Sequence, residues 1–134
     1  MRALYKFRME GVNVAWKFEA GIPLTIQISD RIRKDILRGE YKCGEDFPTV
    51  RQIASDASVN PNTVQKALII LEDEGLLLTL GTAGRTVTDD TQKINEARER
   101  ISLRFVRDVI REATQLGISG DDLLNMIRRN WENE

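Results

Sequence analysis

Residues 49–73 read Thr-Val-Arg-Gln-Ile-Ala-Ser-Asp-Ala-Ser-Val-Asn-Pro-Asn-Thr-Val-Gln-Lys-Ala-Leu-Ile-Ile-Leu-Glu-Asp, and two helix starts stand close together in them. Thr49 is followed three residues later by Gln52, the spacing of a capping box, in which hydroxyl and amide side chains satisfy each other's backbone N–H groups. The helix it opens carries Val50, Ile53, Ala54 and Ala57 on one face. Asn60 then caps a second helix, with Pro61 at the first helical position, where a missing N–H costs nothing. Only Ser58 and Val59 separate the two, and Val59 is apolar enough to plug the turn. Two short helices joined this tightly read as a helix-turn-helix.

The second helix is two-faced. Val64, Ala67, Leu68 and Leu71 form a stripe at helical spacing, and Asn62, Thr63, Gln65 and Lys66 occupy the other side of its first two turns. Short polar side chains at the leading end of such a helix suit base edges and phosphates in a major groove. The plainer account of the same residues is a solvated, well-capped helix start.

Working outward on the C-terminal side, Gly75 suits a helix end. Leu76–Leu80 and Arg85–Thr88 read as two short strands around the turn Gly81-Thr82-Ala83-Gly84. A hairpin directly after a helix-turn-helix is a wing, with Thr82 and Arg85 at its tip and Gly81 and Gly84 letting the backbone approach a phosphate or a minor groove. A hairpin with glycines for turn geometry alone is the alternative. On the N-terminal side, Leu24, Ile28, Ile32 and Ile36 recur every fourth residue in an amphipathic helix that Gly39 ends, and Glu40–Phe47 is a loop with Phe47 buried. Residues 3–18 alternate apolar and polar about Gly11, which reads either as a β-hairpin or as a leader without fixed structure.

From residue 91, Ile94, Ala97, Ile101, Phe105, Val109, Ala113 and Leu116 line one face of a long helix that Gly117 ends. Ser119 starts another, carrying Leu123, Leu124, Ile127 and Trp131. Leu103, Val106 and Ile110 widen the apolar surface beyond what two helices bury against each other. A second copy of the chain is the expected cover, with Ile101, Phe105, Val109, Leu123, Ile127 and Trp131 as dimerisation residues. Folding back onto the winged part is the other option. The expected organisation is therefore an extended segment or hairpin over residues 1–20, a winged helix-turn-helix over 21–90 and a two-helix dimerisation hairpin over 91–134. The fold class is mainly α with a small β wing.

Composition narrows the function. The chain has 134 residues, 41% of them hydrophobic and 31% charged, which is one soluble domain or a small domain with an appendage. No apolar run spans a bilayer and no signal segment opens the chain, so the expected location is cytoplasmic, without membrane contact. The single cysteine, Cys43, excludes an internal disulfide, and the absence of histidine removes His-based nucleophile arrangements and imidazole zinc sites. No phosphate-binding glycine loop is present. No enzyme, metal or cofactor is expected.

The net charge of −1 is low for a nucleic-acid binder, but from Thr49 to Leu71 the only charged residues are Arg51, Asp56 and Lys66. Acids gather at Glu72-Asp73-Glu74, the far end of the second helix. Arg51, Lys66 and Arg85 are the candidate phosphate or guanine anchors, and Asn62, Thr63 and Gln65 the candidate base readers.

The stretch Pro23–Val87 resembles the winged helix-turn-helix of the GntR family of bacterial transcription regulators. The resemblance rests on Pro23-Leu24-Thr25-Ile26-Gln27-Ile28, Ile32-Arg33…Ile36…Gly39, Phe47-Pro48-Thr49-Val50-Arg51-Gln52-Ile53-Ala54, Val59-Asn60-Pro61-Asn62-Thr63-Val64 and Leu71-Glu72-Asp73-Glu74-Gly75-Leu76. Trp16-Lys17-Phe18, the Val59-Asn60-Pro61-Asn62-Thr63-Val64 run and the short two-helix tail are similar to the YtrA subfamily. The resemblance implies a homodimeric repressor on an inverted-repeat operator, often of an ABC-transporter operon. It implies DNA contacts at Arg51, Asn60, Asn62, Thr63 and Gln65, and minor-groove contacts at the wing-tip positions Gly81 and Thr82; Thr49, Lys66, Gly84 and Arg85 complete the expected DNA-binding residues. The tail is too short for the large effector domains of other subfamilies, and no residue pattern names a small-molecule effector. Two positions depart from the family: Gln65 stands where a basic residue is common, and the wing has one more residue between its glycines, with Thr86 in place of an aromatic. The competing class is a winged-helix module that docks a protein instead of specific DNA.

Overall fold

The computed structural model describes residues 16–81 and 84–133. The hairpin expected over residues 3–18 falls almost wholly outside them, and Trp16–Phe18 have no regular structure. The chain divides into two compact units, one ending at Asn95 and the other beginning at Glu96.

In the first unit, helix α1 runs Leu24–Leu37, α2 Val50–Ala57 and α3 Pro61–Asp73, followed by strands β1 Leu77–Thr79 and β2 Arg85–Val87. The side chain of Gln27 fixes the entry to α1: Oε1 accepts from the Glu19 N–H at 2.8 Å, and Nε2 donates to the Glu19 and Ile22 carbonyls at 3.0 and 2.8 Å. The Arg31 guanidinium lies 4.3 Å from the ring centroid of Trp16, a cation–π contact that ties residue 16 to α1. Of the four apolar residues at four-residue steps, Ile28, Ile32 and Ile36 are buried, whereas Leu24, in the first turn, is exposed.

The core forms where α3 packs against both α1 and α2. Ile28, Ile32 and Ile36 of α1, Ile53, Ala54 and Ala57 of α2, and Val64, Ala67, Leu68 and Leu71 of α3 are all buried. Each fully enclosed Ile or Leu contributes about 1.5–3 kcal/mol by leaving water. Leu76, Leu77 and Val87 extend this core beneath the wing, and Phe47 closes it with Tyr41, their ring centroids 4.8 Å apart.

The wing is antiparallel, with Leu77 opposite Val87, Leu78 opposite Thr86 and Thr79 opposite Arg85. The segment before Pro48 is more ordered than a loop: the Phe47 N–H donates to the Arg85 carbonyl at 2.9 Å, the Gly44 N–H donates to that of Val87 at 3.3 Å, and Asp46 bridges to Thr86. Buried Thr86 donates its hydroxyl to the Glu45 carbonyl at 2.8 Å.

Helix α4, Thr91–Gln115, begins in the first unit and forms most of the second with α5, Gly120–Trp131. Gly117, at φ +73°, lets the chain turn out of α4, with the Ile118 N–H on the Ala113 carbonyl at 2.9 Å. Ser119 caps α5, its Oγ accepting from the Asp122 N–H at 3.1 Å. Apolar residues of this unit stay largely uncovered: no residue of α5 is buried, and Phe105 and Trp131 are 57% and 76% exposed. Val109, Ala113, Leu116, Ile118 and Leu123 line an open apolar groove of about 290 Å³.

Candidate nucleic-acid interface

The turn between α2 and α3 is built by local hydrogen bonds. The Thr49 hydroxyl accepts from the Gln52 N–H at 3.1 Å, and Gln52 Oε1 accepts from the Thr49 N–H at 2.8 Å, so both halves of the capping box form. At the other end of α2, Ser58 takes a left-handed conformation, φ +56°, and the Val59 N–H donates to the Ala54 carbonyl at 3.1 Å. Val59 is half-buried. Asn60 Oδ1 accepts from the Asn62 N–H at 2.8 Å, and Pro61 opens α3. Thr49 and Asn60 are thus engaged as caps, each through its side-chain oxygen.

With Val64, Ala67, Leu68 and Leu71 turned into the core, Asn62, Gln65 and Lys66 are exposed on the opposite face of α3, and Thr63 is half-buried beside them. Arg51 is exposed in the first turn of α2. The free N–H groups and dipole at the start of α3 add a positive end on the same side as these donors. The face can therefore accept phosphate oxygens and offer amide and hydroxyl groups to base edges.

The acidic cluster at the far end of α3 is partly neutralised. Arg33 of α1 binds Glu74 through two hydrogen bonds, Nε to Oε1 at 2.8 Å and Nη2 to Oε2 at 2.6 Å. Arg85 of β2 lies with Nη2 3.3 Å from Glu72 Oε1. Two of the three acids at that end of α3, Glu72 and Glu74, thus face an arginine. The Arg33 guanidinium is held above its ordinary pKa, chiefly by its hydrogen bonds to Glu74.

In the wing, Gly81 and Gly84 have φ of +58° and +99°, with open space where a Cβ would stand, so backbone conformation and not crowding calls for glycine there. Thr82 lies outside the described residues. Arg85 sits opposite Thr79 in the rung next to the turn, its side chain directed to Glu72. Sequence reasoning missed that contact, and also the role of Thr79, whose hydroxyl donates to Glu72 Oε2. No spacing rule links positions 72, 79 and 85; only the strand register brings them together. Among the described residues, no group of acidic or Cys side chains could hold a metal ion, and no helix is long and apolar enough to cross a membrane.

Against known proteins, the profile of the gntR family of bacterial regulatory proteins matches residues 24–87, from α1 to the end of the wing. The winged part of this chain is a GntR-family helix-turn-helix domain. The similarity extends past it. The chain is 29% identical over 107 residues to the transcriptional repressor YtrA of Bacillus subtilis, covering 79% of this chain and 82% of that protein. It is 25% identical over 112 residues to the transcriptional regulator YhcF of the same organism, covering 84% and 93%. A solved structure of a GntR family transcriptional regulator from Listeria monocytogenes superposes with a TM-score of 0.80 at 28% identity, over 84% of this chain and 98% of that one. These relatives are transcription regulators, and their alignments reach beyond the winged domain.

Proposed function

We propose that the protein is a cytoplasmic, sequence-specific transcriptional repressor that binds an inverted-repeat operator as a homodimer. The observation that carries the reading is the exposed polar face of α3, with Asn62, Gln65 and Lys66 outward and Arg51 exposed on α2. Inserted in a major groove, Asn62, Thr63 and Gln65 read base edges, a good bidentate pair being worth about 1–3 kcal/mol of discrimination. Arg51 and Lys66 anchor phosphates or a guanine edge, and Gly81, Thr82 and Gly84 bring the wing backbone to the flanking minor groove. Thr49 and Asn60 act first as caps that fix the two helix starts, and contact DNA from there.

Dimerisation runs through residues 91–134. Phe105, Val109, Ile127 and Trp131 are exposed, Ile101 and Leu123 half-exposed, and a second copy covers them as a protein-interior surface would be covered. Two α3 helices held at fixed separation then match two half-sites about one helical turn apart or somewhat more. The similarity to YtrA supports repression, and the subfamily resemblance adds an ABC-transporter operon as the regulated target.

Selection of duplexes from random DNA, followed by a gel shift across a salt series, tests this directly. A palindromic site bound by a dimer, with affinity falling as salt rises, is the expected result. Loss of any duplex preference, with α3 instead capturing a protein, is the result that favours the docking-module alternative.

A further inference from the structure

Resting on that reading, we infer that Glu72 is the residue that positions the wing relative to the DNA-reading helix. Its carboxylate holds both strands of the wing at once. Oε2 accepts from the Thr79 hydroxyl of β1, and Oε1 faces Arg85 Nη2 of β2 at 3.3 Å. Thr79 and Arg85 are directly opposite in the ladder, so the carboxylate grips one rung from the side of α3. That rung is the last before the turn: the Leu80 N–H donates to the Gly84 carbonyl at 2.8 Å, and the tip lies beyond. The Glu72 and Arg85 side chains are only 21% and 17% exposed, which shields the pair from the screening that makes surface pairs weak.

The consequence for recognition is geometric. The Gly44–Phe47 run lies along β2, but a ribbon of so few strands is marginally stable without support from the body. The reach of Gly81 and Gly84 toward a minor groove, while α3 occupies the major groove, depends on the angle at which the ribbon leaves the body. Glu72 fixes that angle from the DNA-reading helix itself. Arg85, with its guanidinium on Glu72, serves as the strut of this clamp. Glu72 and its neighbour Glu74 thereby divide two tasks, Glu74 holding α1 and Glu72 holding the wing.

The test compares wild type, Glu72→Ala, Glu72→Gln and the charge swap Glu72→Arg/Arg85→Glu on a selected operator, by hydroxyl-radical footprinting and by amide exchange of the free protein. For Glu72→Ala the expected result is loss of protection at the flank reached by the wing and retained protection where α3 reads bases. Affinity falls about tenfold, corresponding to roughly 1.4 kcal/mol, and the Leu80 amide exchanges faster. The swap restores slow exchange of the Leu80 amide. Unchanged flank protection in Glu72→Ala, equal loss at flank and centre, or failure of the swap overturns the inference. Should Glu72→Ala not fold, Glu72→Gln carries the same comparison, since it keeps an acceptor for Thr79 and removes the charge facing Arg85. If wild type binds no duplex, the operator reading has failed, and Leu80 exchange in Glu72→Gln still decides the clamp: unchanged exchange overturns it.

Discussion

Arg33 and Glu74 face each other fork to fork, two hydrogen bonds of 2.8 and 2.6 Å joining the middle of α1 to the residue that caps the end of α3. The Arg33 side chain is 14% exposed, so its charge cannot simply turn to water when the partner goes. Asp30 offers a third bond, 2.6 Å from Arg33 Nη1, and softens the loss. Glu74→Ala is expected to destabilise the winged unit by about 2 kcal/mol, the scale of hydrogen bonds to charged groups. Urea unfolding followed by circular dichroism checks it, and a change below 0.5 kcal/mol, roughly the scatter of surface substitutions, contradicts it.

Asp35 presents the opposite balance. Burial raises its pKa more than Arg38 and Arg31 lower it, with Glu40 adding to the rise. A carboxyl whose folded pKa is raised binds its proton more tightly folded than unfolded. Stability therefore falls as pH rises from the ordinary aspartate value through the raised one, and the deficit persists above it. Asp35→Asn removes that descending stretch. At pH 7 the variant is expected to match wild type or exceed it by up to about 1 kcal/mol, because replacing a poorly solvated charge outweighs the ion pair it made. Unfolding midpoints at pH 4 and pH 7 decide the sign.

Ser58 is the only non-glycine residue with positive φ among the described residues, +56° at the end of α2. The left-handed conformation costs an L-residue roughly 1–2 kcal/mol, and glycine avoids most of that. Ser58→Gly is expected to raise stability by about 1 kcal/mol, less whatever glycine loses in chain entropy. A thermal melt reads it, and a lower melting temperature refutes it.

Arg51→Ala is expected to leave dimerisation and fold intact and to weaken operator binding about tenfold at physiological salt. If its guanidinium contacts phosphate, the slope of log affinity against log salt becomes shallower by about 0.9 per protomer. An unchanged footprint and affinity takes Arg51 off the interface.

Phe105 stands 57% exposed on α4. If a second copy covers it, Phe105→Asp removes a buried ring and places a charge in its stead, which is expected to cost at least about 3 kcal/mol and weaken dimerisation more than a hundredfold. Sedimentation equilibrium at micromolar protein should show monomer, with helicity retained. A dimer as tight as wild type places the interface elsewhere.

What the sequence made legible was what depends on neighbours along the chain. Caps are local: Thr49 with Gln52, Asn60 with Asn62 and Ser119 with Asp122 all form as their spacing implies. The stripes of α1, α2 and α3 follow the helical repeat and supply the core, with Leu24, the first residue of α1, left exposed. Contacts set by register across loops stayed hidden. Arg85, read as a wing-tip cation, turns to Glu72, and the loop before Pro48 runs hydrogen-bonded along β2. Thr86, standing where the family favours an aromatic, is buried with its hydroxyl on the Glu45 carbonyl, which neither periodicity nor propensity foretells.

The run from Gly44 to Phe47 has a protective effect. A ribbon of two strands has two unsatisfied margins, either of which can recruit a foreign strand and seed aggregates. By occupying the outer margin of β2, with its N–H groups of Gly44 and Phe47 already donating to Val87 and Arg85, this run leaves, among the described residues, the β1 side open. Detaching it would present a bare strand beside exposed Leu78 and Leu80, so shortening that run would erode the solubility of the regulator.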